Sequence, residues 1–553
     1  MTMTHPARPS KSGHRRRQKE LKALVFDRRR SLPVSSAETS SDATISEPNS
    51  SRLLNGSTAA VYHQAFEGRR ASGQKVRHME EGMEEGTPGR EEGPVRTALY
   101  EAHLDSGGHI VDFHGFELPI RYTTTIEEHL KCRSHAGLFD VSHMGFFRFS
   151  GSGLMEWFDG IATQRASNVA AGRCAYTHFL DESGIIIDDM IFAVTSASEI
   201  AATGCSGGVV STLPSTKSTQ RTAKNDGNNL DNVTTIPIDT NADELAGEGD
   251  SQPYILGVPN ASMIPTMWSW FEQNLPDDDS VIIEDLSDST SILALQGPNA
   301  MQIVGDVLGL DNKVGRFRCQ AIRENPLGIT GWIQGTGYTG ESGVEIFVSN
   351  EEVRRLWDVI LAHSDSGVVP IGLGARDTLR MEMGYLLSGQ DFIWPGLSAD
   401  DENINIDLST IADGQTLARD TAETFVPFGL DIDHEFIGRS RVQASRTAQA
   451  NGTAARWLGI RYLEKGPFPR PGHTVLKLDD QIILRPDGDD ASEVKAESET
   501  IIGYITSGGP APSLERVGIG LAYLRDIEIG DEVLIAPNPR KRVRAVVVRP
   551  PFI

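Results

Sequence analysis

The chain has 553 residues, 52 Lys and Arg against 76 Asp and Glu, a formal net charge of −24 and 39% hydrophobic residues. That length allows about three to five domains, the acid excess argues against general nucleic-acid binding, and no apolar run approaches the ~18 residues of a membrane-spanning helix. The four cysteines, Cys132, Cys174, Cys205 and Cys319, form no C-x-x-C pair, which argues against a disulfide scaffold or zinc ribbon and for a reducing compartment.

Residues 1–95 do not read as a domain. The stretch 1–30 carries Arg15-Arg16-Arg17 and Arg28-Arg29-Arg30 against only Glu20 and Asp27, with Leu21, Leu24 and Val25 at i, i+3, i+4. A short basic amphipathic helix followed by Ser-rich chain has the pattern of an organelle transit peptide, the acidic pair being atypical. A Gly/Glu linker, 78–93, closes this region. Three further segments, 204–252, 399–423 and 486–499, are polar or acidic and weakly patterned, as expected of disordered insertions. The expected organisation is therefore 1–95 outside the fold, a first region over 96–400 interrupted by 204–252, an acidic insertion over 401–423, and a C-terminal region over 424–553.

Between the insertions the elements are legible. Thr125-x-x-Glu128 reads as a capping box opening a helix with Ile126 and Leu130 on one face. Thr177–Leu180, the turn Asp181-Glu182-Ser183-Gly184 and Ile185–Val194 read as a hairpin. Pro298 suits the first turn of a helix through 308. Asn350 is placed to cap a helix with Val353, Leu356, Trp357, Ile360 and Leu361 on one face. The short strands 501–505, 517–524, 532–536 and 541–548, without a long helix, predict a small β-barrel. Helices and antiparallel strands mix without βαβ alternation, so the class is α+β.

Four groups of residues invite a chemical reading. Asp188-Asp189 interrupts a strand apolar on both faces, where a carboxylate must be paired or hydrogen-bonded. Strict alternation would send the two acids to opposite faces, so that they could not share one site. The alternative is a structural carboxylate that accepts backbone N–H bonds. Glu345 follows the glycine turn Gly337-Tyr338-Thr339-Gly340 in another apolar strand, and a carboxylate there could hold a planar ligand by two parallel N–H donors. Arg376 and Arg380 are one helical turn apart, with either anion binding or a structural ion pair open to them. His143, in Asp140-Val141-Ser142-His143-Met144, suggests a Ser/His/Asp triad, but these residues are sequence neighbours and no G-x-S-x-G elbow is present. No histidine cluster has metal-ligand spacing, so no metal is expected.

The order Leu99-Tyr100, Asp112-Phe113-His114-Gly115, Gly137-Leu138-Phe139-Asp140-Val141-Ser142-His143-Met144 and Gly184 with Asp188-Asp189 resembles the aminomethyltransferase (T-protein) family of the glycine cleavage system. The likeness continues through Ala294-Leu295-Gln296-Gly297-Pro298, Gly337–Glu341, Gly372–Asp377 and Ile505-Thr506-Ser507-Gly508, and so spans 96–553. It implies a pseudo-symmetric α+β folate-binding unit with a C-terminal β-barrel. The implied reaction passes the methylene of an aminomethyl group, carried on the lipoyl arm of the H-protein, to tetrahydrofolate with release of ammonia. By the resemblance Asp189 is the catalytic carboxylate, and Glu345, Arg376, Asn260, Tyr176 and Met144 are folate-pocket positions. Tetrahydrofolate and lipoylated H-protein are then the co-substrate and partner, with no metal, nucleic acid or membrane, and the mitochondrial matrix is the expected location.

Three features depart from the family pattern. Gly184-Ile185 replaces a Gly-Gly pair, so the hairpin must avoid a positive φ at Ile185. The sequence ends at Pro551-Phe552-Ile553 where relatives often continue to a folate-contacting tyrosine, a contact expected to be missing. The acidic stretch 399–423 comes after Leu387-Ser388-Gly389-Gln390-Asp391, near where the family shapes its cleft. A folate-binding iron–sulfur assembly factor of the same fold is the alternative, but it would carry a cysteine in the region that here reads Gly337–Glu341. A flavin-dependent dimethylglycine or sarcosine dehydrogenase would need a dinucleotide-binding domain ahead of the module, which 1–95 lacks.

Overall fold

The computed structural model describes residues 94–203, 209–211 (backbone), 252–310, 314–363, 366–394, 396, 418–424, 426, 428–452, 455–478 and 500–553. The transit-peptide and linker expectations for 1–93, and those for 212–251, 397–417 and 486–499, lie outside these residues.

The chain between 136 and 361 repeats one plan twice. Each half runs strand, strand, helix, hairpin, strand, helix. The first uses strands Ala136–Asp140 and Phe147–Ser150, helix Leu154–Ile161, hairpin Arg173–Leu180 and Ile186–Ser196, strand Pro253–Pro259 and helix Ile264–Gln273. The second uses Ile282–Asp285 and Thr290–Gln296, helix Ala300–Leu308, hairpin Cys319–Ile322 and Gly331–Gln334, strand Gly343–Ser349 and helix Asn350–Leu361.

The halves exchange their leading strands. Ala136–Asp140 pairs with Thr290–Gln296 in the second sheet, and Ile282–Asp285 pairs with Phe147–Ser150 in the first. Each sheet has six strands, and the two meet where Arg173 bridges Arg318 at the start of each hairpin. Each half therefore completes the other's sheet, which is the pseudo-symmetric α+β fold. A three-stranded sheet (Val95–Arg96, His109–Phe113, Phe116–Arg121) precedes the halves, and a closed six-stranded barrel succeeds them over Arg456–Val548.

Burial agrees with the sequence pattern in most elements. Val353, Leu356, Trp357 and Ile360 are buried on one helix face against the apolar strand Thr290–Gln296, itself buried at every position. Gly184 takes φ +82 and Ile185 is not in the left-handed region, so the hairpin turns on a single glycine. A Cβ there would stand 2.9 Å from the Gly438 carbonyl oxygen, so only glycine fits.

Four local expectations change. The helix Thr125–Ser134 is capped by Thr124, whose hydroxyl accepts from the Glu127 N–H, one residue earlier than expected. Glu128 is freed for another task, accepting N–H bonds from Tyr122, Thr123 and Gly372 and tying this helix to the start of Leu373–Met383. Leu130, expected on the buried face, is 43% exposed, because His129 and Cys132 turn inward instead. At the second helix Ser349, not Asn350, is the N-cap; Asn350 accepts from Ser291 and donates to the Asp288 carbonyl.

Two segments expected to be unstructured are partly ordered. Residues 209–211 form an edge strand against Ile283–Asp285, a pairing suited to the β-branched Val209-Val210. Within the stretch expected as an acidic insertion, residues 418–423 pack on the barrel. Asp420 is fully buried, accepting from Ser445, Arg441 and the Ala422 N–H, and the Arg419 guanidinium lies 3.6 Å from the Tyr523 ring centre. These partners offset part of the cost of taking the charge out of water, and burial still raises the Asp420 pKa.

Candidate active site

Residues from both halves, the helix Leu373–Met383 and the barrel surround a cavity of about 720 Å³. Asp189, Glu345, Arg376, Asn260, Tyr176 and Met144, singled out in the sequence, all line it.

Asp189 lies on the inner strand of the first hairpin, opposite His178. Just beside it the register slips: Phe179 pairs with Asp188, but Leu180 pairs with Ile186, so Ile187 is a bulge. A bulge rotates the side chains beyond it and breaks strict alternation. The two acids meet at one shared donor, Asn260, although only Asp189 lines the cavity. The Asn260 amide donates to Asp188 Oδ1 at 2.9 Å and to Asp189 Oδ1 at 2.8 Å, and its backbone N–H donates to Asp188. Tyr176 donates to Asp189 Oδ2 at 2.8 Å, and Ser388 to Asp188 Oδ1 at 2.8 Å.

Only Asp189 reaches the cavity; Asp188 is fully buried behind it. Burial raises the Asp189 pKa against the hydrogen bonds from Tyr176 and Asn260. Burial, then the neighbouring Asp189 charge, pushes Asp188 up to about 7. Two adjacent acids cannot both ionise cheaply. The buried Asp188 is the one better suited to hold a proton, which leaves Asp189 the carboxylate facing the cavity.

Glu345 comes from the second half, on strand Gly343–Ser349. Val344, Ile346 and Val348 enter the core on the other face, as alternation requires. Its Oε2 accepts from the Thr336 hydroxyl at 2.5 Å and from Gln334 at 3.3 Å. Those bonds fix the carboxylate at the cavity wall. The two arginines of Leu373–Met383 separate. Arg380 is fully buried, bonded to Asp377, Asp391 and Ser507, so it is a structural pair holding helix to barrel. Arg376 lines the cavity with its guanidinium 5.0 Å from the Tyr338 ring centre.

The triad reading of Asp140, Ser142 and His143 is excluded by geometry. Asp140 accepts from Thr97, His103 and Ser142. His143 turns away, edge-on to Phe113 at 5.4 Å between ring centres, and its Nδ1 has no partner. Burial and the Arg376 charge lower its pKa to about 3, so it faces the cavity as a neutral ring.

Comparison with known proteins decides the family. Residues 99–235 and 242–408 match the GCVT N-terminal domain, and 457–553 match the glycine cleavage T-protein C-terminal barrel domain. The aminomethyltransferase of Halothermothrix orenii is 30% identical over 464 residues, covering 83% of this chain and 99% of the relative. That of Bacteroides fragilis is 27% identical, covering 82% and 99%. The chain belongs to the glycine cleavage T-protein family of aminomethyltransferases. A crystal structure of glycine cleavage system aminomethyltransferase T from Bartonella henselae shares the fold, with TM-score 0.58 and 22% identity over 83% of this chain and 98% of that one.

Within this T-protein frame, several motifs that carried the resemblance hold the walls of the site together. Asp391 of Leu387–Asp391 accepts from Thr506 and Ser507 of the barrel, and Ser388 reaches back to Asp188. Glu382 joins His129, Arg133 and Ser513. The C-terminal Arg549, Pro550 and Pro551 line the cavity where the sequence expectation was of a lost tyrosine contact. Sequence reasoning weighed His143 only as a triad member and missed Tyr338 and Phe428 as cavity residues, since aromatic side chains in loops carry no periodic signal. Among the described residues, no group of three or more His, Cys, Asp or Glu side chains is placed to hold a metal ion, and Cys132, Cys174 and Cys319 are buried free thiols.

Proposed function

We propose that the chain transfers the methylene of the aminomethyl group on a lipoylated H-protein to tetrahydrofolate, releasing ammonia. The observation that carries this is Asp189, a carboxylate held by Tyr176 and Asn260 on a cavity wall that also presents Glu345 and Arg376. The wall suits a flat heteroaromatic ligand with a donor edge. Two fixed carboxylates meet it, between apolar contacts from Met144, Ile191 and Val258.

When bound, tetrahydrofolate supplies the amine nitrogens that take up the one-carbon unit. Asp189 orients those nitrogens and stabilises the positive charge that develops beside it, an electrostatic effect strengthened where water is excluded. Burial and the Asp189 charge raise the Asp188 pKa, so Asp188, behind it, ionises less readily than an ordinary carboxyl. Glu345 accepts from the donor edge of the pterin, held in place by Thr336 and Gln334. Arg376 complements the polar or anionic side of the ligand, and Met144 packs on its face.

The test is a coupled assay with aminomethylated H-protein and tetrahydrofolate. Equal yields of 5,10-methylenetetrahydrofolate and ammonia are expected; folate binding without turnover would favour the assembly-factor alternative. That alternative is weakened by the absence of cysteine from Gly337–Glu341 and by relatives that are aminomethyltransferases. Delivery to the mitochondrial matrix rests on the basic segment 1–30 alone, the named relatives being bacterial. Fusing 1–95 to a fluorescent protein tests it, and a diffuse cytosolic signal would end it.

A further inference from the structure

His178 touches the site without touching the cavity. It sits on strand Arg173–Leu180 directly opposite Asp189 and is fully buried. Its Nε2 is 3.1 Å from the Tyr176 hydroxyl, the same hydroxyl that lies 2.8 Å from Asp189 Oδ2. Its Nδ1 has no hydrogen-bond partner.

A tyrosine hydroxyl has one proton to donate and can accept at its oxygen. Tyr176 can therefore donate to Asp189 or to an unprotonated Nε2, but not to both. Burial alone lowers the His178 pKa to about 3, so the ring is neutral and carries one proton. With that proton on Nδ1, a buried N–H would have no acceptor, and Nε2 would compete with Asp189 for the tyrosine proton. With it on Nε2, the ring donates into the Tyr176 oxygen, the hydroxyl is left with Asp189 as its acceptor, and only a lone pair is unpaired. The second arrangement satisfies more of the groups present.

We propose that His178, as its Nε2–H tautomer, is a positioning residue that aims the Tyr176 hydroxyl at Asp189 and holds that carboxylate ionised and oriented. The inference rests on the reading of Asp189 as the catalytic carboxylate. The titratable groups facing this relay are Asp188 on the same strand and Tyr338 from the loop after Gln334, with Arg376, Arg380 and Asp391 acting on Tyr338. Asn260 adds its amide to Asp189, and the uncharged ring of Phe392 stands edge-on to His178. A change at His178 removes none of these groups.

Two substitutions separate positioning from packing. His178→Gln keeps an N–H near the Nε2 position, whereas His178→Leu removes it. Tyr176 lowers the Asp189 pKa through its hydrogen bond, so weakening that bond raises it. For His178→Leu, kcat is expected to fall about fivefold with KM little changed, and the acid limb of the kcat profile to move up by about half a pH unit. His178→Gln should restore both, and neither should respond to His178→Leu in a Tyr176→Phe background. A lowered melting temperature with an unchanged pH profile would overturn the proposal, as would an equal shift without Tyr176. Independently of turnover, ¹⁵N-histidine spectra of the intact chain, assigned with His178→Gln, should show protonated Nε2; a protonated Nδ1 would overturn it. If the wild-type chain transfers no aminomethyl group, the functional reading fails, and the link is then judged by the ¹³C carboxyl titration of Asp189, which should still move up in His178→Leu.

Discussion

The two halves of the molecule close on one another with the same device. In the first, Asp140 Oδ1 accepts from the N–H and hydroxyl of Ser142, whose oxygen accepts the Ile292 N–H of the other half's strand. In the second, Asp285 Oδ1 accepts from the N–H and hydroxyl of Ser287, whose oxygen accepts the Phe146 N–H. The two clasps differ in the residues they lead into. The first continues into His143 and Met144, which line the cavity; the second continues into Asp288, whose carbonyl accepts from Asn350. The hairpins diverge likewise, Asp188-Asp189 in one against Gly331-Trp332-Ile333-Gln334 in the other. Counted back from the asparagine just past each half's fifth strand, Glu345 stands where the first half packs the fully buried Ile255. Shared residues build the fold, and the site is built where the repeat is broken.

The largest expected effect comes from the hairpin acid without a counterpart. Asp189→Asn keeps shape and removes charge, so kcat should fall about 10²–10⁴-fold with tetrahydrofolate still bound. An activity near wild type would mean the broken repeat is not the catalytic feature. Asp188 sets the pH dependence of the first half. Its folded pKa is raised to about 7 from the ordinary 3.8, so its contribution to stability is full below the lower value and is lost as pH rises through the upper. Asp188→Asn should flatten the fall in melting temperature between about pH 4 and pH 7. An unchanged slope would assign that titration elsewhere.

Glu345 breaks the repeat from the other side. Glu345→Gln should weaken tetrahydrofolate binding by about 1–3 kcal/mol in titration calorimetry, the scale of a charge-assisted hydrogen bond. An unchanged dissociation constant would make Glu345 structural, bonded only to Thr336 and Gln334. The clasps offer the direct comparison. Ser142→Ala and Ser287→Ala each leave a backbone N–H unpaired and should cost about 1–2 kcal/mol of stability by urea unfolding. Only Ser142→Ala should also impair transfer, because it alone releases the segment bearing His143 and Met144. Equal activity losses would show that the halves matter to catalysis as a unit.

Much of this was legible in the sequence because apolar periodicity and glycine turns are local. The hairpin, the helix from Asn350 and the barrel strands Val517–Leu524 and Lys541–Val548 needed no long-range information. The bulge at Ile187 did, since a slipped register depends on the partner strand Arg173–Leu180. Alternation alone could not show that both acids accept from the Asn260 amide. The fate of Arg380 was equally hidden, because Asp391 and Ser507 come to it from distant stretches of chain. Asp285-x-Ser287 repeats Asp140-x-Ser142, yet two residues in common are too few to announce a repeat without the fold.

The smallest expected effect concerns the sixth strand of each sheet. The second sheet ends in Val368–Pro370, parallel to Ala136–Leu138, where the chain leads directly into the helix bearing Arg376. The first ends in residues 209–211, antiparallel to Ile283–Asp285, inside a segment too polar to bury much apolar surface. Replacing 206–250 by a short Gly/Ser linker removes this strand but brings the ends of a long loop closer. Loop closure changes only logarithmically with length, so the net shift should be ~1 kcal/mol or less. Melting temperature and aminomethyl transfer should be measured on the same preparation. Near-native values in both would show that the first sheet does not need its sixth strand. A well-folded chain that had lost only its response to the H-protein would make the segment a docking element, and the asymmetry of the edges would then be functional.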